Sequence, residues 1–394
     1  MSFMLLNNDK RIVTHMDLDT FFVSVERLKN PKLYGLPVIV AGSSDRAVVA
    51  SCSYEARRYG VHSAMPVKMA RQLCPDAVFV RGDMEEYSRY SHLVTGIIAE
   101  HAPVYEKRSI DEFYLDLTGM DRFYNAYRWA LELRDRIIRE TGLPISMGYS
   151  INKTVAKIAT SEAKPAGTLQ VEKGSERSFL APLPVKRIPG VGTKVQSTFY
   201  ELGIRRIATL QQMPPQLIER TLGRNGLDIW QKANAIDPSP VEPYNEAKSI
   251  STEQTFERDT IDHYSVRRIL AAMTEELARQ LRQQHRLTGC VTVKIRYSTF
   301  DTVSRQQSIA YTQADHKLIP TVHALFDRLY DRRLRIRLVG VRFSRLIYGS
   351  YQPDLFEPHE ETIQRLYRAL DHLNTRWGKP VVGRTNSILT IHPA

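Results

Sequence analysis

Apolar and polar positions repeat along this chain with two periods, one near 2 and one near 3.6, and the switches between them mark its elements. From Ile12 to Leu18, β-branched and apolar residues run without Gly or Pro and predict a strand, and a helix-like run from Phe21 to Lys29 follows directly. Further strands are predicted at Pro37 to Val40, Ala47 to Ser51, Ala77 to Val80, Ile110 to Leu117 and Ile145 to Tyr149. Helices are predicted at Tyr87 to Glu100, Tyr124 to Thr141 and Lys153 to Ala163. Such a mixture up to about Val171 indicates an α/β or α+β core. Glu172 to Ala235 reads as mainly helical and polar. Asp237 to Pro243 carries three prolines in seven residues and reads as a semi-rigid linker.

Beyond the linker, Lys248 to Tyr348 reads strand, long helix (Tyr264 to His285), two strands (Cys290 to Tyr297, Val303 to Tyr311), helix (Lys317 to Tyr330) and strand (Arg335 to Leu346). This is the β-α-β-β-α-β order of a ferredoxin-like split unit, a small sheet with helices on one face and the other face free. Lys294 and Arg296 alternate with Val293 and Ile295, and Arg335 and Arg337 alternate with Ile336 and Leu338. A basic sheet face suits a nucleic-acid backbone. The simpler reading is a solvated face.

Charge favours the first of these. The chain of 394 residues carries a net +12, and Lys248 to Tyr348 alone holds 18 Lys and Arg against 10 Asp and Glu, so a quarter of the chain carries about two thirds of the excess. Localised positive charge points to a polyanionic partner. Hydrophobic content of 42% and charged content of 25% are those of a soluble globular protein of two to four domains. Three scattered cysteines, Cys52, Cys74 and Cys290, form neither a zinc motif nor a disulfide framework and suit a reducing cytosol. No stretch reaches the length of a membrane span, and the expected location is cytoplasmic.

Two acidic segments supply the candidate chemistry: HMDLDTFF at His15 to Phe22 and RSIDEFYLDL at Arg108 to Leu117. Both put carboxylates inside or at the end of apolar strands, where charge is costly unless a cation compensates it. Clustered carboxylates suit Mg²⁺, and two such ions about 4 Å apart would serve in-line phosphoryl transfer. Alternation places Phe113, Leu115 and Leu117 on one face and sends Asp111 and Glu112 to opposite faces. Both can reach one site only if the strand bulges or ends there. The simpler alternative has Asp17 and Asp19 capping the next helix and Asp111 and Glu112 pairing with Arg108 or Lys107.

Phosphate-handling residues accompany these segments. Lys186 to Lys194, KRIPGVGTK, has the form of a helix-hairpin-helix, in which the backbone around Gly190 and Gly192 approaches a phosphate and Lys194 adds charge. An ordinary interhelical turn is the simpler reading. Tyr54 and Arg57 lie at i and i+3 and could share a triphosphate, whereas Lys153 and Lys157, at i and i+4, read on their own as solvated helix charges.

The ordered set HMDLDTFFVSVE, SYEARRYGVHSAMP, SIDEFYLDLT, INKTVAKIATSEAKPAGT and IPGVG resembles Y-family translesion DNA polymerases of the DNA polymerase IV type, over roughly residues 10 to 348. The resemblance implies an α+β right hand: palm at 1–20 and 83–171, fingers at 21–82, thumb at 172–236, linker at 237–247 and little finger at 248–348. It implies that Asp17, Asp111 and Glu112, with the Leu18 carbonyl, hold two Mg²⁺ ions. It also implies that Tyr54, Arg57 and Lys164 bind the triphosphate, with Ser51 a further contact, and that Phe22 is the steric gate against ribose. Small residues beside Ala50 and at Ser63-Ala64-Met65 imply an open pocket, hence low fidelity.

In the 349–394 tail, Gln352, Leu355 and Phe356 of QPDLF look like the pentapeptide that docks bacterial polymerases on the sliding clamp. After it, Ile363, Leu366, Leu370, Leu373 and Trp377 fall at helical spacing, in an ending similar to the tail of the polymerase V catalytic subunit. The stripe either packs on the little finger or recruits a partner. The activity implied is template-directed extension of primer-template DNA with dNTPs by a monomer, without proofreading. The alternative is a catalytically silent scaffold of the same fold that binds DNA or the clamp; such proteins lack the acidic triad present here. A helix-hairpin-helix glycosylase would leave the triad unexplained.

Overall fold

A computed structural model describes residues 11–123, 125–243, 246–331, 334–349 and 359–377, and the chain divides into two units, 1–245 and 246–394. The first unit runs β1 (Val13–Leu18), α1 (Phe21–Lys29), β2 (Val38–Ala41), β3 (Val49–Cys52), α2 (Tyr54–Arg57), α3 (Val67–Leu73), β4 (Val78–Val80), α4 (Met84–His101), β5 (Val104–Lys107), β6 (Glu112–Asp116), α5 (Ala126–Thr141), β7 (Ile145–Ser150), α6 (Lys153–Ala163) and β8 (Thr168–Gln170). Strands order as β5-β6-β1-β7-β8, with β1 central and antiparallel to β6 and β7.

Alternation gives this sheet two working faces. Met16, Leu18, Phe113, Leu115, Ile145 and Met147 pack with α4 and α5 in one buried core. The opposite face, with His15, Asp17 and Glu112, lies under α6, which contacts both β1 and β7. Gly148 on β7 makes this seating possible: a Cβ there would lie 2.1 Å from the Ala156 carbonyl oxygen and 2.4 Å from the Thr160 nitrogen. Asn152 caps α6 by accepting from the Val155 N–H at 2.9 Å, and Asp237 accepts from the Thr154 N–H at 3.0 Å, so the proline-rich segment is tied to the same helix.

A second sheet, β3-β2-β4, packs Ile39, Val49 and Cys52 against Ala56, Val67 and Ala70. The helices α7 (Glu176–Leu180), α8 (Thr193–Glu201), α9 (Ile207–Gln212) and α10 (Pro215–Ala233) share a core with Val155, Ile158 and Ala159 of α6. The described cysteines are free and buried, and no described helix is long and apolar enough to cross a membrane.

In the second unit, β9 (Ser249–Thr260), α11 (His263–Gln283), β10 (Arg286–Tyr297), β11 (Thr302–Thr312), α12 (Asp315–Leu329) and β12 (Ile336–Tyr348) keep the expected β-α-β-β-α-β order. Element order leaves strand order open; it is β11-β10-β12-β9, with all neighbours antiparallel. The helices cover Val291, Val293, Ile295, Val339, Val341 and Phe343. A final helix, α13 (His359–Trp377), docks on this unit mainly through a residue outside the expected stripe. Tyr367 is buried, its oxygen accepts from the His316 N–H at 3.0 Å, and the Arg282 guanidinium lies 4.8 Å from its ring centre. Arg282 pairs with Asp371 at 2.6 Å and with Asp315 at 2.8 Å. Leu366, Leu373 and Trp377 of the stripe stay exposed, so partly buried ion pairs and one aromatic anchor decide which side faces inward.

Candidate active site and nucleic-acid surfaces

β1 and β6 pair with Asp17 directly opposite Glu112, which brings two carboxylates far apart in sequence onto one sheet face. The strand β6 begins at Glu112. Asp111 occupies the bend before it, and its carbonyl accepts the Leu18 N–H at 3.0 Å. The strand therefore ends where alternation would have separated the two acids. The Asp111 carboxylate accepts from Ser109 Oγ at 2.5 Å, while its charge still bears on Asp17. Among the described residues, side-chain ligand atoms of His15, Asp17 and Glu112 lie within 4.8 Å of one another, and Asp111 is outside that group.

The carboxylates face lysines from α6 and the turn after it. Lys157 Nζ lies 2.5 Å from Glu112 Oε1, and Lys164 pairs with Asp17. Sequence periodicity leaves Lys157 as a solvated charge because the approach of α6 to the sheet at Gly148 is a tertiary fact. Among the described residues, Lys157 and Lys164, not Arg108 or Lys107, pair with Glu112 and Asp17, and Thr20 occupies the α1 cap position without a side-chain cap bond. The capping alternative therefore fails for Asp17 and Asp19. Burial pushes the Asp17 carboxyl up to about 7; Lys164 opposes the rise, and Glu112 and Asp111 add to it. The donor set fits a divalent cation: hard carboxylate oxygens, mutually repelling, whose positive partners are partly exposed lysine side chains.

Asp19 is buried and serves as a hub. It accepts from Tyr54 OH at 3.1 Å, from Ser146 Oγ at 2.7 Å and from the Ala166 N–H at 2.7 Å, with Lys164 Nζ at 3.8 Å. Tyr54 and Lys164 thus converge from distant parts of the sequence. Arg57 is exposed, its guanidinium 5.0 Å from the Tyr54 ring centre, and Ser51 is buried on β3. Phe22, second in α1, stacks on Tyr87 with centroids 4.2 Å apart and planes 11° from parallel. Tyr87 is in turn fixed by donating to Glu26 at 2.7 Å. Sequence reasoning misses Tyr87, whose position in the first turn of α4 carries no chemical signal.

The turn at Ile188 to Gly192 leads into α8, with Gly190 at φ +102° and Lys194 exposed. The Gly192 N–H points to the Gly190 carbonyl at 3.2 Å. On the second unit's helix-free face, Lys294 pairs with Glu253 at 2.5 Å and Arg296 donates to Thr302 at 2.9 Å, whereas Arg337 sits at a register shift between Ile336 and Leu338, 4.5 Å from the Phe300 ring centre. Arg335 is exposed just before β12. Arg342, opposite Thr292 in the register, is an exposed basic residue of the Lys294 face; the register shift between Ile336 and Leu338 puts it out of phase with Arg335 and Arg337, so strict alternation misses it. Gln352, Leu355 and Phe356 lie outside the described residues.

Residues 16–161 match the impB/mucB/samB family and residues 247–355 match that family's C-terminal domain. The chain is 36% identical over 381 residues to DNA polymerase IV of Dehalococcoides mccartyi, covering 95% of this chain and 97% of that one. It is 38% identical over 346 residues to DNA polymerase IV 2 of Methanosarcina mazei, covering 86% and 94%. Among solved structures, a chimera of the Y-family polymerases Dbh and Dpo4 superposes with a TM-score of 0.78 at 26% identity, covering 86% of this chain and all of that one. An insertion ternary complex of Dbh DNA polymerase gives 0.63 at the same identity and coverage. Matched in both family regions, and alike to these relatives over nearly its whole length, the chain belongs to the Y-family of DNA polymerases.

Proposed function

We propose that this translesion DNA polymerase extends primers with dNTPs in a template-directed, Mg²⁺-dependent reaction of low fidelity and without proofreading. The observation that carries the reading is the register of Asp17 against Glu112, with Asp111 in the adjoining bend. Two Mg²⁺ ions held by Asp17, Asp111, Glu112 and the Leu18 carbonyl would make the primer 3′-hydroxyl a better nucleophile and neutralise charge at the α-phosphate and pyrophosphate. Lys164 and Tyr54, gathered at Asp19, would transfer to the triphosphate oxygens, with Arg57 beside them and Ser51 a further contact. Palm (1–20, 83–171), fingers (21–82), thumb (172–236), linker (237–247) and little finger (248–348) are the divisions that this reading assigns. Gly190, Gly192 and Lys194, and Lys294, Arg296, Arg335 and Arg337, would meet the DNA backbone. The protein would act as a cytosolic monomer, tethered to a sliding clamp by Gln352, Leu355 and Phe356.

Extension of a primer whose template carries an abasic site tests the damage-tolerant part of this reading. Bypass with Mg²⁺, together with failure to trim a mismatched primer end, is expected; blockage at the site would contradict it. Phe22 provides a second test. Held rigid by Tyr87, its ring would clash with a ribose 2′-hydroxyl. Phe22→Ala is expected to raise ribonucleotide incorporation by about 100-fold relative to dNTP, the order of one steric discrimination. Unchanged single-turnover selectivity would remove the gate assignment.

A further inference from the structure

We propose that His15 is a third, nitrogen ligand at the Asp17–Glu112 site and makes that site favour transition divalent ions such as Mn²⁺ over Mg²⁺. The inference rests on the reading of Asp17 and Glu112 as metal-binding carboxylates. His15 precedes Asp17 by two residues and shares its face of β1. The side chain is 1% exposed, and one of its ring nitrogens lies within 4.8 Å of the Asp17 and Glu112 oxygens. Donors on one ion stand about 3 Å apart when adjacent and about 4.4 Å apart when opposite, so the three side chains must draw inward to hold one ion.

The tautomer follows from the neighbours. Thr160 Oγ1 lies 2.8 Å from His15 Nδ1, 3.0 Å from the His15 carbonyl oxygen and 2.9 Å from the Ala156 carbonyl oxygen. A hydroxyl has one proton, and when Thr160 donates it to either carbonyl, its oxygen accepts from Nδ1–H. The Nε2 lone pair is then left bare, and Nε2 is buried with no hydrogen-bond partner among the described residues. An imidazole fixed through Nδ1 by a hydrogen bond, with Nε2 unpartnered and a ring nitrogen near two carboxylates, is compatible with a ligating histidine and its orienting partner. The Tyr114 ring, its centre 4.6 Å from that of His15, packs against the imidazole. Imidazole nitrogen favours the later divalent ions, whereas Mg²⁺ prefers oxygen and sheds water reluctantly.

Mn²⁺ added to the full-length protein without DNA provides the test, read by electron paramagnetic resonance with electron spin-echo detection of ¹⁴N coupling. Coupling to one nitrogen is expected in the unaltered protein and should vanish in His15→Gln. In that variant Mn²⁺ affinity should fall by about 10-fold or more while Mg²⁺ affinity changes far less. Mn²⁺ bound with no nitrogen coupling, and displaced by Glu112→Gln, would overturn the role of His15 and leave the carboxylate site standing. Mn²⁺ binding indifferent to Glu112→Gln would overturn both. Because the coupling is read on the unaltered protein, a variant that fails to fold leaves the test intact.

Discussion

Asp17→Asn is expected to lower primer extension by about 10³-fold or more, the consequence of losing several kcal/mol of charge stabilisation at the reacting phosphate. The change removes one charge and almost no volume, so primer-template binding should persist. Its effect on stability has the opposite sign. Burial raises the folded-state pKa of Asp17 from 3.8 to about 7. A raised folded value means that the group favours folding below its unfolded pKa, and that this contribution is lost as pH rises through the folded value. Metal-free wild type should therefore lose stability between about pH 4 and pH 7 relative to Asp17→Asn. At pH 8 the variant should melt higher, and the gap should narrow at pH 5. Paired thermal melts in a chelator check this. A variant less stable at pH 8 than at pH 5, relative to wild type, would mean that the Lys164 ion pair outweighs burial.

The largest structural effect is expected at Gly148. An alanine Cβ would meet backbone atoms of α6 at 2.1 Å and 2.4 Å, and backbone cannot rotate away as a side-chain end can. Relief requires α6 to lift from β7, at about 2–4 kcal/mol. The same movement would draw Lys157 from Glu112 and Thr160 from His15, so activity should fall with stability. Gly96, exposed on α4 with nothing within 4 Å of where an alanine methyl would stand, supplies the control. Gly96→Ala should be neutral or stabilising by up to about 1 kcal/mol, because alanine is the better helix former. Chemical denaturation of both variants measures the difference; equal midpoints would show that α6 does not sit where Gly148 places it.

Local periodicity makes most elements legible, because apolar spacing fixes which face is buried before any tertiary contact exists. The run Phe21 to Lys29 is a helix between those same residues, and Lys153 to Ala163 likewise. Asp17 and Glu112 are legible as costly charges in apolar strands. Their partners are not: the spacing of Lys153 and Lys157 suits solvent equally well, and only the close seating of α6 turns Lys157 inward. His15 carries a weak signal, its two-residue offset from Asp17, which places both on one strand face. Asp19 reads with Asp17 as a helix cap, yet in the fold it gathers Tyr54, Ser146 and Ala166 from three separate segments. Strand order in the second unit and the docking of α13 by Tyr367 depend on long-range pairing, to which a linear pattern is blind.

The measurement closest to the central claim is single-nucleotide incorporation on a labelled primer-template, with each dNTP supplied alone and Mg²⁺ added or chelated. Wild type should add the nucleotide complementary to the template base in preference to the other three, only when the ion is present, and Asp111→Ala with Glu112→Ala should add none while still binding DNA. A folded, DNA-binding wild type that adds no nucleotide with Mg²⁺, with or without a sliding clamp, would contradict a working polymerase and favour a silent scaffold of the same fold.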